Sequence, residues 1–355
     1  MRIKYRHCSC INPTYFCHNK IINIKNIIGN FYKYHMKILV IQNRMGIGDT
    51  VIFLPYIKAL SKKFNSPISL LVKENSKADQ FLFQTNYIDK ILLLERDKKT
   101  NNRHGSFLGS INLIQNIKKH NFDKIIIFSS SFRFYLIAKF SNVQKIYHYP
   151  LFQKNQQHIT DTPKKFMKDK FNLDVNEDPE IQIDHELISQ SSKKFNINKN
   201  EVNILLGIGG SGPTKRIPAK TFINVIKLIS EKKKCKFFLA TGKNNDEQLI
   251  LNEILESKYK DLCIPLDDLL IKETLPIIKN CNLSVCNDSS FSHLSAALGV
   301  KTITLMADTP LIYGNYSSIM YPIIPEGEET VTHNTLGKEK ISPEQILNEI
   351  KKILD

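Results

Sequence analysis

Short apolar runs alternate with helical patterns twice along this chain, and this alternation is the feature that most constrains its fold. The first set begins at Lys37, and apolar residues recur there every three or four positions between the runs, which is typical of helices. Predicted strands cover 37–42, 68–72, 90–94 and 124–128, and predicted helices cover 51–60, 76–86 and 107–119. Alternating strands and helices predict a parallel sheet with helices on both faces.

The stretch near 149–200 lacks this alternation of strand and helix patterns, and a second set of alternations follows it. Its predicted strands cover 202–207, 236–240, 283–286 and 302–305, and its predicted helices cover 219–232, 246–257, 292–298 and a last segment opening at Ser342-Pro343-Glu344. A chain of 355 residues exceeds one ordinary core. The sequence therefore predicts an α/β protein with two Rossmann-like, doubly wound domains, 36–180 and 181–355, facing a central cleft and preceded by a basic extension, 1–35.

The composition is typical of a soluble globular protein, with 42% hydrophobic and 24% charged residues. No apolar run approaches the ~18 residues that a membrane helix needs. The seven cysteines form no paired Cys-x-x-Cys frame, and free thiols are typical of a reducing compartment. We therefore predict a cytoplasmic protein.

The net charge of +16 is unevenly distributed. Residues 1–35 contain six Lys/Arg and no Asp/Glu, and residues 36–175 contain 23 Lys/Arg and 10 Asp/Glu. These parts carry +6 and +13, so residues 176–355 carry −3. One interpretation is a Lys- and Asn-rich compositional bias. The other is an anionic partner, either an acidic lipid surface or a phosphorylated acceptor. Nucleic acid is disfavoured because no binding module is recognisable.

The first candidate motif is Gly46-Ile47-Gly48-Asp49-Thr50, between the first predicted strand and helix. Turns at the carboxyl ends of parallel strands face the ligand crevice. Val51 stands where a dinucleotide fingerprint would have its third glycine, which disfavours NAD. Asp49 is either a helix N-cap or a general base that removes the proton from an acceptor hydroxyl.

The second candidate motif is the glycine-rich segment 207–216, which follows the first strand of the second domain. Glycines such as Gly209 allow close backbone approach to a phosphate, Ser211 and Thr214 can donate hydrogen bonds, and either Lys215 or Arg216 can neutralise a diphosphate. The spacing is not that of a Walker loop, since Pro213 follows Gly212. The alternative is a flexible connection without a ligand.

The third candidate motif, 287–294, also lies between a strand and a helix. Asp288, Ser289 and Ser290 stand at a helix start whose free amides favour an anion, and His293 lies on the first turn. No Gly-x-Ser-x-Gly elbow surrounds the serines, which disfavours a hydrolase triad. A lone histidine is more often structural than catalytic. Asp246 and Glu247 follow another strand, where a carboxylate would either hold the hydroxyls of a ribose or be an acid at a helix start.

These residues together resemble glycosyltransferase family 9, the lipopolysaccharide heptosyltransferases, over roughly 36–355. The resemblance is carried by the opening strand with Gly48-Asp49-Thr50-Val51, by Phe122–Ile127 with Arg133, by Lys215-Arg216-Ile217-Pro218, and by Asp288–His293 followed by Ala296-Ala297-Leu298-Gly299. Ser290 replaces the family's usual glycine, Ile217 its aromatic residue, and Met306–Thr309 its usual Tyr-Gly-Pro-Thr.

The resemblance implies a GT-B fold and an inverting, metal-independent transfer of a sugar from ADP-heptose to an anionic, lipid-linked acceptor, with no cofactor, at the inner face of the inner membrane. It implies catalytic roles for Asp49 and Lys215. Donor binding would fall to Gly209, Ser211, Thr214, Lys215, Glu247, Asp288, Ser289, Ser290 and His293, and acceptor binding to Gly48 and Arg133. The alternatives are a nucleotide-sugar epimerase or hydrolase, and a sugar-binding homologue without turnover.

Overall fold

The computed structural model describes residues 36–96, 102–153 and 158–354, and the extension predicted at 1–35 lies outside them. The N-terminal lobe contains a five-stranded parallel sheet in the order β3-β2-β1-β4-β5. Its strands are β1 (Ile38–Ile41), β2 (Ile68–Lys73), β3 (Ile88–Leu94), β4 (Lys124–Ile127) and β5 (Lys145–His148). All four residues of β1 are buried, as expected of a central strand covered on both faces. The four predicted strands are confirmed, and β5 is added.

The helices of this lobe are α1 (Gly46–Phe64), α2 (Ala78–Phe81), α3 (Phe107–Lys118), α4 (Phe132–Phe140) and α5 (Asp161–Phe171). Helix α1 ends at Asn65, whose left-handed φ of 47° lets its amide bond back to the last turn. The helix predicted near 76–86 is confirmed only over Ala78–Phe81. Lys77 has a φ of 50° immediately before α2, and the chain turns again after Leu82, so four residues remain helical.

The C-terminal lobe contains a six-stranded parallel sheet in the order β11-β10-β9-β6-β7-β8. Its strands are β6 (Val202–Gly207), β7 (Cys235–Ala240), β8 (Cys263–Pro265), β9 (Leu283–Asn287), β10 (Thr302–Leu305) and β11 (Met320–Ile323). The four predicted strands are confirmed, and β8 and β11 are added. In both sheets the first strand is central and the strand order reverses beside it, which places a ligand crevice at its carboxyl end.

The helices of the second lobe are α6 (His185–Lys194), α7 (Ala219–Ser230), α8 (Asn245–Leu255), α9 (Ile271–Lys279), α10 (Ser290–Ala297) and α11 (Pro343–Leu354). Four of them were predicted, and α6 and α9 were not. Helix α11 begins where predicted, because the Ser342 hydroxyl accepts the Gln345 amide at 3.3 Å. Among the described residues, no helix combines the length and apolar character needed to cross a bilayer.

The irregular stretch before residue 200 carries α5 and α6, which join different parts of the molecule. Phe171 of α5 packs edge-on against Phe64 of α1, with ring centroids 6.0 Å apart. Helix α6 packs against α9, where Asn280 donates to the Ile188 carbonyl at 2.9 Å. The chain therefore passes from the first sheet to the second between these two helices, and the division at residue 180 stays a prediction.

Candidate active site

A cavity of about 760 Å³ lies between the lobes, at the carboxyl ends of β1, β6, β7 and β9. Ten of the predicted site residues line it: Gly48, Asp49, Gly209, Ser211, Lys215, Glu247, Asp288, Ser289, Ser290 and His293. They come from four segments, one in the N-terminal lobe and three in the C-terminal lobe. Parallel strands bring their carboxyl ends to one edge of a sheet, which explains why segments so distant in sequence meet here.

Asp49 lies in the first turn of α1, at the wall that the N-terminal lobe contributes. The helix begins at Gly46, whose φ of +89° is rarely adopted by residues with a side chain. Met45 occupies the N-cap position, so the interpretation of Asp49 as the N-cap is wrong. Burial raises the pKa of the Asp49 carboxyl, although the Arg44 cation opposes that shift. A carboxylate with a raised pKa is a better proton acceptor than an exposed one.

Lys215 and Asp288 form an ion pair at the wall that the C-terminal lobe contributes. The Lys215 ammonium donates to Asp288 Oδ2 at 2.7 Å, and the Asp288 side chain is only 7% exposed. Burial is the largest single effect and would raise the pKa of Asp288, but the Lys215 charge, the His293 ring and hydrogen bonds from Lys215 and Thr309 together lower the net pKa. The pair therefore holds a cation beside the N-terminus of α10, where Ser289 and Ser290 begin the helix.

Glu247 braces the glycine-rich loop that follows β6. Its Oε1 accepts the Gly210 amide at 2.7 Å, and a side chain at Gly209 would place a Cβ 2.5 Å from the same oxygen. A Cβ at Gly242 would lie even closer to Oε2. The Glu247 amide donates to the N-cap side chain of Asn244 at 3.0 Å, so Glu247 is also an acid at a helix start. Both glycines are required because the carboxylate fills the space between two loops.

Asn287 is a site residue that sequence reasoning missed. It is the last residue of β9 and is fully buried. Its Nδ2 donates to the carbonyls of Ile208 at 2.8 Å and Gly209 at 3.2 Å, while Oδ1 accepts the Ile217 amide at 3.4 Å. The amide side chain therefore fixes both ends of the glycine-rich loop against β9. A polar residue closing an apolar strand directly before Asp288 was the signal that could have revealed it.

His293 forms one of the contacts between the lobes. Its ring lies against Gly48, where a Cβ would be 2.5 Å from Nε2 and Cδ2. On the other side, Nδ1 is 2.8 Å from the Tyr316 hydroxyl, and the two rings stack with centroids 5.6 Å apart. Burial lowers the pKa of His293, so its ring is neutral at neutral pH. Helix α10 thereby packs on α1 through an uncharged ring.

The comparisons with known proteins agree with this geometry. A family model described as glycosyltransferase family 9 (heptosyltransferase) matches residues 111–318, which is more than half of the chain. The chain belongs to glycosyltransferase family 9. It is therefore a glycosyltransferase of the heptosyltransferase family.

Individual relatives extend the similarity beyond the matched segment. Lipopolysaccharide heptosyltransferase 1 of Campylobacter coli is 24% identical over 354 residues, covering 90% of this chain and 99% of its own length. A family 9 glycosyltransferase from Veillonella parvula DSM 2008 has a TM-score of 0.74 at 20% identity, covering 90% and 97% of the two chains. The E. coli ADP-heptose LPS heptosyltransferase II has a TM-score of 0.68 at 17% identity, covering 90% and 98%. These structures confirm the predicted GT-B fold.

Two departures from the family 9 pattern fall on positions that tolerate them. Ile217 is fully buried in the core of the C-terminal lobe and does not line the cavity. The presence of isoleucine in place of the family's aromatic residue therefore changes core packing. Ser290, which replaces a glycine, has no positive φ. A serine therefore fits its backbone conformation without strain.

Two of the predicted ligand residues do not line the cavity of this family 9 enzyme. Thr214 is directed towards Asp308, where its hydroxyl helps to lower the pKa of that carboxyl against the effect of burial. Arg133 lies in a separate cavity of the N-terminal lobe. There its Nε donates to Ser110 Oγ at 2.9 Å and its Nη2 to the His104 carbonyl at 2.5 Å. Their roles in binding donor and acceptor stay predictions.

Tyr313 and Arg44 are further residues at the cleft that the sequence did not reveal. Tyr313 comes from the C-terminal lobe and lines the cavity beside Asp49. Burial, followed by the Asp49 charge, raises the pKa of Tyr313, and a hydrogen bond from Arg44 opposes that shift. The fold alone brings these three residues together. Among the described residues, the cleft included, no group of three or more His, Cys, Asp or Glu side chains is arranged to hold a metal ion.

Proposed function

We propose that this chain transfers heptose from ADP-heptose to a hydroxyl of a lipopolysaccharide core or a related lipid-linked acceptor, with inversion of the anomeric carbon and without a metal. The observation that carries the proposal is the position of Asp49 on one wall of the cleft and of the Lys215–Asp288 pair on another. One wall offers a proton acceptor, and the other offers a cation for a leaving diphosphate.

The proposed reaction is a single displacement. The Asp49 carboxylate removes the acceptor proton as the hydroxyl oxygen attacks the anomeric carbon, and the bond to the diphosphate oxygen breaks on the opposite face. The raised pKa of Asp49 supports this role. A single attack from the opposite face inverts the anomeric centre.

Charge on the departing ADP would be stabilised by the C-terminal lobe. Lys215 Nζ supplies a full positive charge, and the free amides at the N-terminus of α10 supply partial ones. These groups could replace the divalent cation that other transferases use. In this state Lys215 is paired with Asp288, so that carboxylate positions the ammonium at the cavity wall.

Relatives support the identity of the donor. An E. coli heptosyltransferase of the same fold, with a TM-score of 0.65 at 13% identity, was solved with ADP-2-deoxy-2-fluoro heptose. We propose that the glycine-rich loop with Gly209 and Ser211, braced by Glu247, receives the nucleotide of the donor. His293, between α10 and α1, would lie close to the bound sugar.

The charge distribution supports the acceptor side of the proposal. The basic excess lies in the first half of the chain, and an acceptor built on lipid with acidic sugars is anionic. We therefore propose that the protein works in the cytoplasm, peripherally at the inner face of the inner membrane, with Gly48 and Arg133 on the acceptor side.

The proposal is tested by incubating the purified chain with ADP-heptose and a heptose-free core glycolipid, with and without EDTA. We expect a glycolipid heavier by one heptose, ADP in equal amount, inverted anomeric configuration by NMR, and no effect of EDTA. Free heptose or an isomerised nucleotide sugar without glycolipid product would instead indicate a hydrolase or an epimerase. Donor binding without any product would indicate a sugar-binding homologue. Mass spectrometry of envelope glycolipid from a deletion strain identifies the acceptor in cells.

A further inference from the structure

A second cavity of about 760 Å³ lies on the N-terminal lobe, away from the cleft. Facing stripes of α3 and α4 form it. We call this surface the α3–α4 face and define it by Phe107, Ile111, Ile114 and Lys118 of α3 with Phe132, Arg133, Leu136 and Phe140 of α4. On α3 these positions recur every three or four residues, so they lie on one side of the helix.

The α3–α4 face exposes large apolar side chains that no described element covers. Phe107 is 82% exposed and Phe140 is 59% exposed, and the adjacent Leu108 is 69% exposed. Leu113 and Ile117 on the other side of α3 are buried in the core of the lobe, so the helix is apolar on two sides. Exposed apolar patches of this kind mark interaction sites.

Basic residues border this apolar surface, since Arg96 and Lys118 line the same cavity. Residues 98–160 contain ten Lys/Arg and one acidic residue, Asp123. Lys118 and Lys139 lie in the last turns of α3 and α4. Apolar side chains next to lysine and arginine are typical of protein surfaces that bind anionic bilayers.

Arg133 is a cation within this surface whose hydrogen-bond partners are neutral. It donates to a serine hydroxyl and to a backbone carbonyl, and its Nη1 is buried without a hydrogen-bond partner among the described residues. Burial, followed by the charge of Arg96, lowers the pKa of Arg133. An anion would stabilise the charged guanidinium in this position, and phosphate oxygens match its hydrogen-bond geometry.

We propose that the α3–α4 face docks on an anionic phospholipid bilayer, with Phe107 and Phe140 among the lipid headgroups and Arg133 against a lipid phosphate. The proposal rests on the proposed function, in which the acceptor is lipid-linked. A second copy of the chain is the less favourable occupant, because a symmetric pair would set one basic surface against another. A bilayer rich in phosphatidylglycerol has the complementary charge.

Vesicle cosedimentation of the full chain tests the proposal, using vesicles of phosphatidylglycerol with phosphatidylethanolamine and, separately, vesicles of phosphatidylcholine. We expect binding to the anionic vesicles only, weakening as salt is added. In the double variant F107S/F140S, binding falls about tenfold or more, because two aromatic side chains lose their insertion. The matched control is F83S/L249S, which removes two exposed apolar side chains elsewhere and leaves binding unchanged.

Equal vesicle binding by F107S/F140S and the wild type would overturn the proposal. So would a wild-type dimer that ignores vesicles and dissociates in the variant, which would make this face a contact between copies. Circular dichroism and thermal melting establish that the variant is folded.

Activity measurements separate docking from transfer. We expect F107S/F140S to lose turnover on acceptor embedded in anionic vesicles but to keep it on the deacylated, water-soluble acceptor. Equal loss on both acceptors would contradict docking as the function of these side chains. Vesicle binding is measured without donor, so absence of transfer by the wild-type chain contradicts the proposed function alone.

Discussion

The two lobes share one architecture but differ in the hydrogen bonding of the loops that follow their strands. In the C-terminal lobe, polar side chains at the cleft bond to one another: Asn287 to the glycine-rich loop, Glu247 to Gly210, and Lys215 to Asp288. In the N-terminal lobe, the corresponding loop presents Asp49 on a helix N-terminus beside Arg44. The C-terminal lobe thus holds its cleft side chains in place through hydrogen bonds, whereas the N-terminal lobe presents the Asp49 carboxyl, whose pKa is raised by burial.

The outer surfaces differ in the same way. Of the eleven large apolar side chains that are exposed in the described residues, eight lie before residue 153 and three after residue 248. The basic excess follows the same division. We therefore expect the two lobes to bind different partners, a compact, charged nucleotide sugar on one and an extended, anionic lipid-linked molecule on the other.

The largest expected effect of a single substitution comes from Asp49. Replacing it with Asn should lower kcat about 100- to 10,000-fold, because the acceptor proton then has no base. Binding of ADP, measured by calorimetry, should change little, because the proposed nucleotide site lies in the other lobe. D79N is the matched control, since Asp79 is an exposed acid in the first turn of α2. Wild-type turnover by D49N would remove Asp49 from the mechanism.

Replacement of Lys215 should affect donor binding and rate together. In K215A we expect kcat/KM to fall about 100-fold, because the leaving diphosphate loses its cation. ADP affinity should fall as well, unlike in D49N. K220A removes an exposed lysine nearby and should behave like the wild type. If K215A lowered kcat while ADP affinity stayed constant, Lys215 would act only on the reacting centre.

One added methyl group is expected to disturb the contact between α1 and α10, which lies between the lobes. A Cβ at position 48 would lie 2.5 Å from the His293 ring, so G48A should displace α1 from α10. We expect a loss of about 10- to 100-fold in kcat, since small misplacements of reacting groups are costly. G212A adds a methyl group where the nearest atom is 4.0 Å away and should be nearly silent. Equal kinetics for both variants would show that the lobes tolerate the displacement.

The smallest effect is a separation of two pH profiles. The Asp49 pKa lies above the ordinary aspartate value of 3.8, and the Asp288 pKa lies below it. As pH falls, transfer should therefore be lost while ADP binding persists. The Asp288–Lys215 pair contributes stability above the ordinary aspartate pKa, and that contribution disappears only as pH falls through the lower, folded-state pKa. Kinetic and calorimetric titrations in parallel check this, and coincident profiles would contradict it.

Most of the fold was predictable because buried parallel strands are continuous apolar runs. All eight predicted strands occur in the structure. Short peripheral strands were missed, because β5 and β8 carry polar residues and proline at the sheet edges. Helix α2 was overextended because the left-handed backbone at Lys77 has no apolar signature.

The candidate site was predictable to the extent that its residues follow central strands. Glycine-rich turns and polar residues after β1, β6 and β9 marked the loops that line the cavity. The partners within the site were not predictable. In the sequence Asn287 has the pattern of a strand end, and Tyr313 lies in a short 3-10 helix far from Asp49 along the chain.

The sequence by itself determined the two α/β lobes, the loops at their strand ends and the basic character of the first half. These properties are local, because hydrophobic period, glycine content and charge can be counted along the chain. Only the tertiary structure decided that the His293 ring covers Gly48, that Glu247 fills the space between two glycine loops, and that Arg133 lies outside the cleft. Such contacts depend on distances between lobes and between strand ends, which no linear pattern specifies.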